Sequence, residues 1–457
     1  MKNKHILHLY NRIGFGILPN EVEKLNSKTT TEVVNTLFES SETINPLYID
    51  TSFLNSVSLK ALKNKSKRQE LMKISRKKVR ELNLIWMDRL ANPKEVLREK
   101  MTLFWANHFV CEDKNVLHVL QYNNTLRKHA LGNFGDFVKA ISKEAAMLKY
   151  LNNKQNRKNS PNENFARELL ELFTLGQGNY SEKDIQESAR AFTGYNHRFN
   201  GDFILRRRQH DYGEKEFFDQ VGSFDGDDII DIILQQKQCA RFICQKMYTY
   251  FVNDKIKPNR IEEMTSIFFK DYNIEKLMKY VLTSDWFYDE ENIGAKIKSP
   301  IELLATIHKT VPFSFQKPKQ QLLIQKLLGQ ILLFPPNVAG WKTGKGWIDS
   351  NTMVTRLRLA SVLLNNAEIS YSEKDDFKAI VNSVKKEKRR KRAFIKTETN
   401  WQKFNENYES ISNEELFESL MLCPITSGTK EIINQYKDLP KKDFCIQLMS
   451  LPEYQLC

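Results

Sequence analysis

Along this chain apolar residues return every three or four positions far more often than every second one. In NPKEVLREKMTLFWANHFV the apolar positions are Val96, Leu97, Met101, Phe104, Trp105 and Phe109, behind Pro93. That is the spacing of one helix face with a proline near its start. QQKQCARFICQKMYTYFV repeats it through Ala240, Ile243, Met247, Tyr250 and Phe251. Runs of the same kind cover 20–40, 115–130, 133–149, 260–285, 298–312, 318–329, 346–366, 413–422 and 440–449. Strand-like alternation is scarce. HRFNGDFILRRR, 197–208, with Asn200-Gly201 as its turn, is the best hairpin candidate. The pattern predicts a mainly α protein, a large multi-helix globular domain with one short β-hairpin at most.

The same pass gives an organisation. Residues 1–370 read as a helical core with a basic helical protrusion near 58–82, 371–400 as a basic linker, and 401–457 as a C-terminal helical tail packing on the core. No unit repeats at the spacing of a solenoid, about 20–50 residues.

Composition adds one strong bias. The chain has 457 residues and a net charge of +14, which favours anionic partners. Lys60 to Arg80 holds ten Lys or Arg and one Glu, and KKEKRRKR (Lys385 to Arg392) has seven basic residues in eight. Neither run is interleaved with the aromatic residues that stack on single strands, so nucleic acid is not the expected partner. A solvated helix face and an exposed linker explain both runs more simply. No window holds the roughly 18 apolar residues of a membrane span. MKNKHILHLYNRIGFGILPNE contains no apolar signal-peptide core. The expected compartment is therefore the cytoplasm, or the periplasm or cell exterior if residues precede this start. Cys111, Cys239, Cys244, Cys423, Cys445 and Cys457 are scattered without metal or disulfide spacing and read as reduced thiols.

The densest chemistry lies in SPNENFARELLELFTLGQGNYSEKDIQESARAFTGY, Ser160 to Tyr195. Its first part reads as a single helix, capped by Ser160 or Asn162 and ended by Gly176, with Phe165, Leu169, Leu172 and Phe173 as its apolar stripe. Glu163, Arg167 and Glu171 then share one row, with Asn164 and Glu168 beside it. On the surface such a row is worth a few tenths of a kcal/mol per pair. Half-buried, it needs partners. His108 at the end of the aromatic helix, Arg190, the His210-Asp211 pair and Lys215 are candidates. A His beside carboxylates serves as general base or as a ligand for zinc, iron or manganese, so a divalent metal is left open as a cofactor. The plainer alternatives are a satisfied core histidine at position 108 and a hydrogen-bonded turn at 210–211. FDGDDIIDIIL lacks calcium-loop spacing, and Asp227 or Asp228 reads instead as a helix cap.

A second unusual stretch is LLFPPNVAGWKTGKGWIDS, in which Trp341 and Trp347 flank a Gly- and Lys-rich loop. It either walls a ligand pocket or plugs the end of the helical bundle. GWKTGKGW only imitates a phosphate-binding loop, since its glycine spacing is one short. The familiar hydrolase, zincin and dinucleotide signatures are all missing.

HLYNRIGFG, EKMTLFWANHFV, PNENFARELLELFTLG, YSEKDIQESARAFTGY, HDYGEK, KSPIELL and PPNVAGWKTGKGWI occur in this order across nearly the whole chain. Together they resemble a bacterial family known as domain of unknown function 1800. The positions that match are His8, Arg12, Trp105, His108, Asn162, Glu163, Asn164, Arg167, Glu168, Glu171, Arg190, His210, Asp211, Trp341 and Trp347. The resemblance assigns none of them a role. It implies relatives that are often exported and encoded beside a second family resembling sulfatases and phosphatases.

Two expectations follow. In the first the chain is an enzyme that hydrolyses or otherwise modifies an anionic or glycan-type substrate. His108, Glu163, Arg167, Glu168, Glu171, Arg190, His210 and Asp211 would frame its chemistry, and Asn162, Asn164, Lys215, Trp341 and Trp347 would hold the substrate. In the second it is a non-catalytic helical scaffold for a surface or secretion enzyme, with a sulfatase- or phosphatase-like protein as partner and the Asn-Glu-Arg motif as a structural polar network.

Overall fold

The structure is a computed structural model that describes residues 1–54, 64–365 and 395–457. The basic run 385–392 and the start of the expected protrusion fall outside these residues. The chain is mainly α. Helices Asn3–Ile13, Lys65–Ala91, Val96–His108, Val116–His129, Lys237–Phe251 and Pro300–Thr310 build the part that matters for the site. Among the described residues no helix is long and apolar enough to cross a membrane.

Val96–His108 is the central helix. Its sequence suggests one apolar stripe, yet every residue from Leu97 to Ala106 is buried. Three consecutive charges, Arg98, Glu99 and Lys100, project about 100° apart and meet three different neighbours. Arg98 donates to the Ser41 carbonyl at 2.7 Å and the Arg127 carbonyl at 2.9 Å. Glu99 accepts from Arg127 at 2.6 and 3.1 Å and from the Trp86 indole at 3.3 Å. Lys100 bonds Glu302 and donates to the Gly14 carbonyl at 3.2 Å. A buried charge without a partner costs several kcal/mol, so the three pairs permit one rotation of this helix. That rotation aims Phe104, Asn107 and His108 the same way. Aromatic packing of Trp105 on Phe109, Phe134 and Phe137 sets its depth.

Lys65–Ala91 carries part of the expected basic helix and is anchored by a buried amide pair. Asn83 Nδ2 donates to Gln325 Oε1 and Gln325 Nε2 to Asn83 Oδ1, both at 2.9 Å.

Among the described residues three small antiparallel sheets replace the single hairpin expected. Tyr195–His197 pairs with Phe203–Leu205, as the Asn200-Gly201 turn predicts. Lys215–Phe217 pairs with Gln220–Gly222 through a turn in which Phe218 and Asp219 both have positive φ. Neither is a glycine, so the usual hairpin signal is missing. The third sheet joins Phe313–Phe315 to Thr397–Thr399, partners too far apart in sequence for any local signal.

The last residues run beside the site. Cys457 N donates to the Lys296 carbonyl at 2.8 Å and Lys298 N to the Gln455 carbonyl at 2.8 Å.

Candidate functional site

A cavity of about 360 Å³ opens between the first helix, the central helix, Lys237–Phe251, the start of Pro300–Thr310 and the Trp341–Trp347 loop. Its polar lining includes Arg12, Asn107, His108, Lys246, Tyr250, Lys296, Glu302, Gln330 and Lys342.

The tryptophan loop forms one wall. Asn107 holds it, accepting from Trp341 N at 2.7 Å and donating to the Trp341 carbonyl at 3.4 Å. Gly340 has φ +84°, and a Cβ there would collide with Asn107 Oδ1, so glycine lets the loop approach the central helix. Thr352 Oγ1 fixes the Trp347 carbonyl at 2.9 Å. Both indoles are 5% exposed and line the cavity, and the Trp341 Nε1 donor has no partner.

Arg12 lies opposite, 2% exposed. Its Nη2 donates to the Asn292 carbonyl at 2.5 Å, while Nε and Nη1 are buried without a partner. None of the described carboxylates is bonded to it. Burial lowers its pKa from the ordinary arginine value, opposed by the charges of Cys457, Glu302 and Asp254.

Glu302 is held differently. It bonds Lys100, accepts from Ser299 N at 2.7 Å, and receives the Tyr250 hydroxyl at 3.3 Å. Burial alone would raise its pKa, but the Lys100 ammonium and the Ser299 bonds outweigh that and bring it to about 2. This carboxylate is a permanent anion and a poor proton acceptor at neutral pH.

His108 donates from Nε2 to the Phe173 carbonyl at 3.0 Å, which leaves Nδ1 as the lone-pair nitrogen, 3.5 Å from Lys246 Nζ. Burial, and then the Lys246 charge, push its pKa well below the usual histidine range. Lys246 Nζ also donates to the Leu172 carbonyl at 3.0 Å, and burial lowers its pKa to about 8.

Both acceptor carbonyls come from the motif segment, which is not the single helix expected. Asn164–Glu168 is a short α-helix with Glu163 at its N-cap, and neither Ser160 nor Asn162 caps it. Leu169–Thr174 follows as a π-helix. Thr174 Oγ1 takes the Leu169 carbonyl at 2.6 Å, and Leu175 N bonds the Leu170 carbonyl at 2.9 Å. The wider turn leaves the Leu172 and Phe173 carbonyls free of the ladder, where Lys246 and His108 take them. Such π segments often accompany functional sites.

The side chains of the motif face elsewhere, and none of them lines the cavity. Arg167 pairs with Glu163 at 3.2 Å but not with Glu171; it makes a two-pronged bond to Glu182 instead, both contacts at 3.0 Å. Glu171 accepts from the Tyr180 hydroxyl at 3.1 Å. Glu168 is half-buried beside it, its pKa raised by burial and by Glu171. Arg190 bridges Glu187 and Asp211, each at 2.8 Å. His210 Nδ1 lies 2.8 Å from the Thr193 carbonyl, and Lys215 donates to the Asp211 and Gly213 carbonyls at 2.8 and 2.9 Å. Asn162 Oδ1 accepts from Asn164 N at 3.2 Å, and the Asn164 side chain is exposed. The N-cap of Gly226–Leu234 is Asp225, not Asp227 or Asp228, and the Asp228 side chain closes the capping box on Asp225 N at 2.8 Å. His210 and Lys215 are buried, but the Arg167 pairs lie at the surface, and Arg167→Ala should cost under about 1 kcal/mol in urea unfolding, as exposed pairs do.

Of the expected site residues, the cavity thus gathers His108, Trp341 and Trp347. It adds Arg12, Lys246, Lys296 and Glu302. Arg12 breaks the apolar face of the first helix, and Lys246 sits between Phe242 and Tyr250 in an i, i+4, i+8 aromatic row. Both are charges at core positions, a signal that sequence carries. Among the described residues no three His, Cys, Asp or Glu side chains are grouped as a metal would need.

The family model described as protein of unknown function (DUF1800) matches residues 8–456. The chain belongs to the DUF1800 family. No curated protein and no solved structure matches it. Every lining residue of this DUF1800 cavity except Cys457 falls inside the matched span.

Proposed function

We propose that this DUF1800 chain is an enzyme whose cavity takes a small anionic substrate, such as a glycan bearing an anionic group. The reading is carried by Arg12, a buried guanidinium that lines the cavity and has two donors without a partner. A buried polar group is normally bonded, and one left open at a cavity suits a ligand acceptor. Lys246, Lys296 and Lys342 line the same space; of its charges Glu302 is already paired with Lys100 and Lys296 with Asp254. The volume suits a single ring with an anionic substituent, and the indoles of Trp341 and Trp347 offer apolar faces for such a ring.

The second reading, a scaffold for a sulfatase- or phosphatase-like enzyme, draws on the motif region, whose charges are paired with one another at the surface rather than turned into a cavity.

Thermal unfolding with inorganic phosphate, inorganic sulfate and a phosphorylated or sulfated monosaccharide separates the two. Chloride at matched ionic strength and the neutral sugar are the controls. The enzyme reading expects at least one anion to raise Tm in a saturable way, worth about 2.7 kcal/mol at a hundred times its Kd. If every anion behaves like chloride, the cavity reading fails and the scaffold reading stands.

A further inference from the structure

His108 and the carboxylates are the groups the sequence offers for acid–base chemistry, and the geometry removes them in turn. His108 has its only proton committed to the Phe173 carbonyl, and its free nitrogen faces Lys246. Glu302 is locked to Lys100 and Ser299. The motif carboxylates Glu163, Glu168 and Glu171 do not line the cavity.

Lys246 remains. It lies on Lys237–Phe251 with its Nζ 4.7 Å from the centre of the Phe242 ring. Two acceptors stand against it, the Leu172 carbonyl at 3.0 Å and His108 Nδ1 at 3.5 Å. A neutral amine has two N–H donors and one lone pair. With both donors turned to those acceptors, the lone pair takes the one remaining tetrahedral direction, and Lys246 lines the cavity. We propose that Lys246 is the acid–base group of this cavity, taking a proton from an O–H or acidic C–H next to the anionic group that Arg12 holds. The inference rests on the anion reading of the cavity. The proton passes to Nζ, and the electron pair stays on the ligand, where the Arg12 guanidinium offsets the negative charge. The ammonium so formed can donate to Leu172 O and leave its third proton facing the ligand.

The surroundings agree. The π-helix offers Lys246 a carbonyl and no carboxylate, and the central helix offers a neutral imidazole. Arg12 and Lys342 face the cavity as cations, Lys296 as a cation already matched by Asp254, Tyr250 as a neutral phenol, and Glu302 as an anion already matched by Lys100. An anion entering this space is the missing counter-charge for Lys246.

The test is trace acetylation of the folded full chain from about pH 6 to about pH 11, a span covering the ordinary lysine value. Peptide mass spectrometry reads the titration midpoint of each lysine, with and without inorganic phosphate, alongside Tm. The midpoint, not the yield, is the readout, so partial burial does not distort it. Lys246 should titrate near 8, well below the bulk lysines. Phosphate should lift its midpoint by about one unit, as an opposite charge at short range does. In Arg12→Met the low midpoint should persist and the phosphate lift should vanish.

If phosphate raises Tm but Lys246 titrates with the bulk lysines, or its midpoint ignores phosphate, the acid–base role is overturned and the anion cavity survives. If phosphate and sulfate change neither Tm nor any midpoint, the cavity reading fails and takes this role with it.

Discussion

Glu302→Gln lowers the unfolding free energy by about 3–5 kcal/mol at neutral pH, because it strips Lys100 of its counter-charge. Lys100 is buried in the central helix, and its other bond is to a backbone carbonyl, Gly14 O. The same residue sets an acid limb. The folded carboxyl titrates near 2 against an ordinary value of 4.5. A depressed carboxyl contributes stability that is fully present above the unfolded value and is lost as pH falls toward the folded one. Wild-type protein should therefore lose about 3 kcal/mol between roughly pH 5 and pH 2 from this group alone. Glu302→Gln should lack that component. Urea midpoints at several pH values measure both effects. The double variant Lys100→Met with Glu302→Gln should recover most of the loss, since removing both charges leaves none uncompensated. A loss under about 1 kcal/mol with an unchanged acid limb would mean that solvent reaches the pair, and the cavity floor would not be electrostatically fixed.

The pair also explains what sequence could and could not deliver. Ser299 and Glu302 close a capping box at the start of Pro300–Thr310, a contact within one turn of chain. The partner of Glu302 lies about 200 residues away in sequence, and no local pattern joins the two. The helical content followed from periodicity because most helices here bury one face. The central helix is the exception, since its charges Arg98, Glu99 and Lys100 are buried as well. The motif Asn162–Glu171 drew attention through its density of polar groups, and its Glu163–Arg167 pair is present. Yet its link to the cavity runs through two backbone carbonyls, which sequence does not display. The π turn that frees them rests on Thr174 bonding back to Leu169. Trp341 and Trp347 were legible as wall or plug because Gly, Pro and Trp together mark an ordered irregular loop. Arg12 stood among the family-matching positions without a role. Its meaning lies in what it lacks, partners for two of its donors, and only three-dimensional packing reveals that.

Arg12→Met should cost anion binding heavily and stability little. Phosphate affinity, read by isothermal titration calorimetry, should weaken about 30-fold or more, the loss of about 2 kcal/mol that follows removal of one side of a buried charge-assisted contact. Stability without ligand should stay within about 1 kcal/mol of wild type. The variant gives up one bond to the Asn292 carbonyl and relieves the burial of a guanidinium with two open donors. The opposite balance is the signature of a structural arginine: unfolding at lower urea with unchanged phosphate affinity would move Arg12 from the ligand seat to the scaffold. Arg12→Lys refines the outcome. An ammonium keeps the charge but not the planar fork, so it should restore part of the affinity for phosphate and less of it for a planar carboxylate such as citrate. Equal rescue for both would mean that Arg12 supplies charge alone, and that the shape of the ligand is read by Trp341, Trp347 and the open indole Nε1 of Trp341.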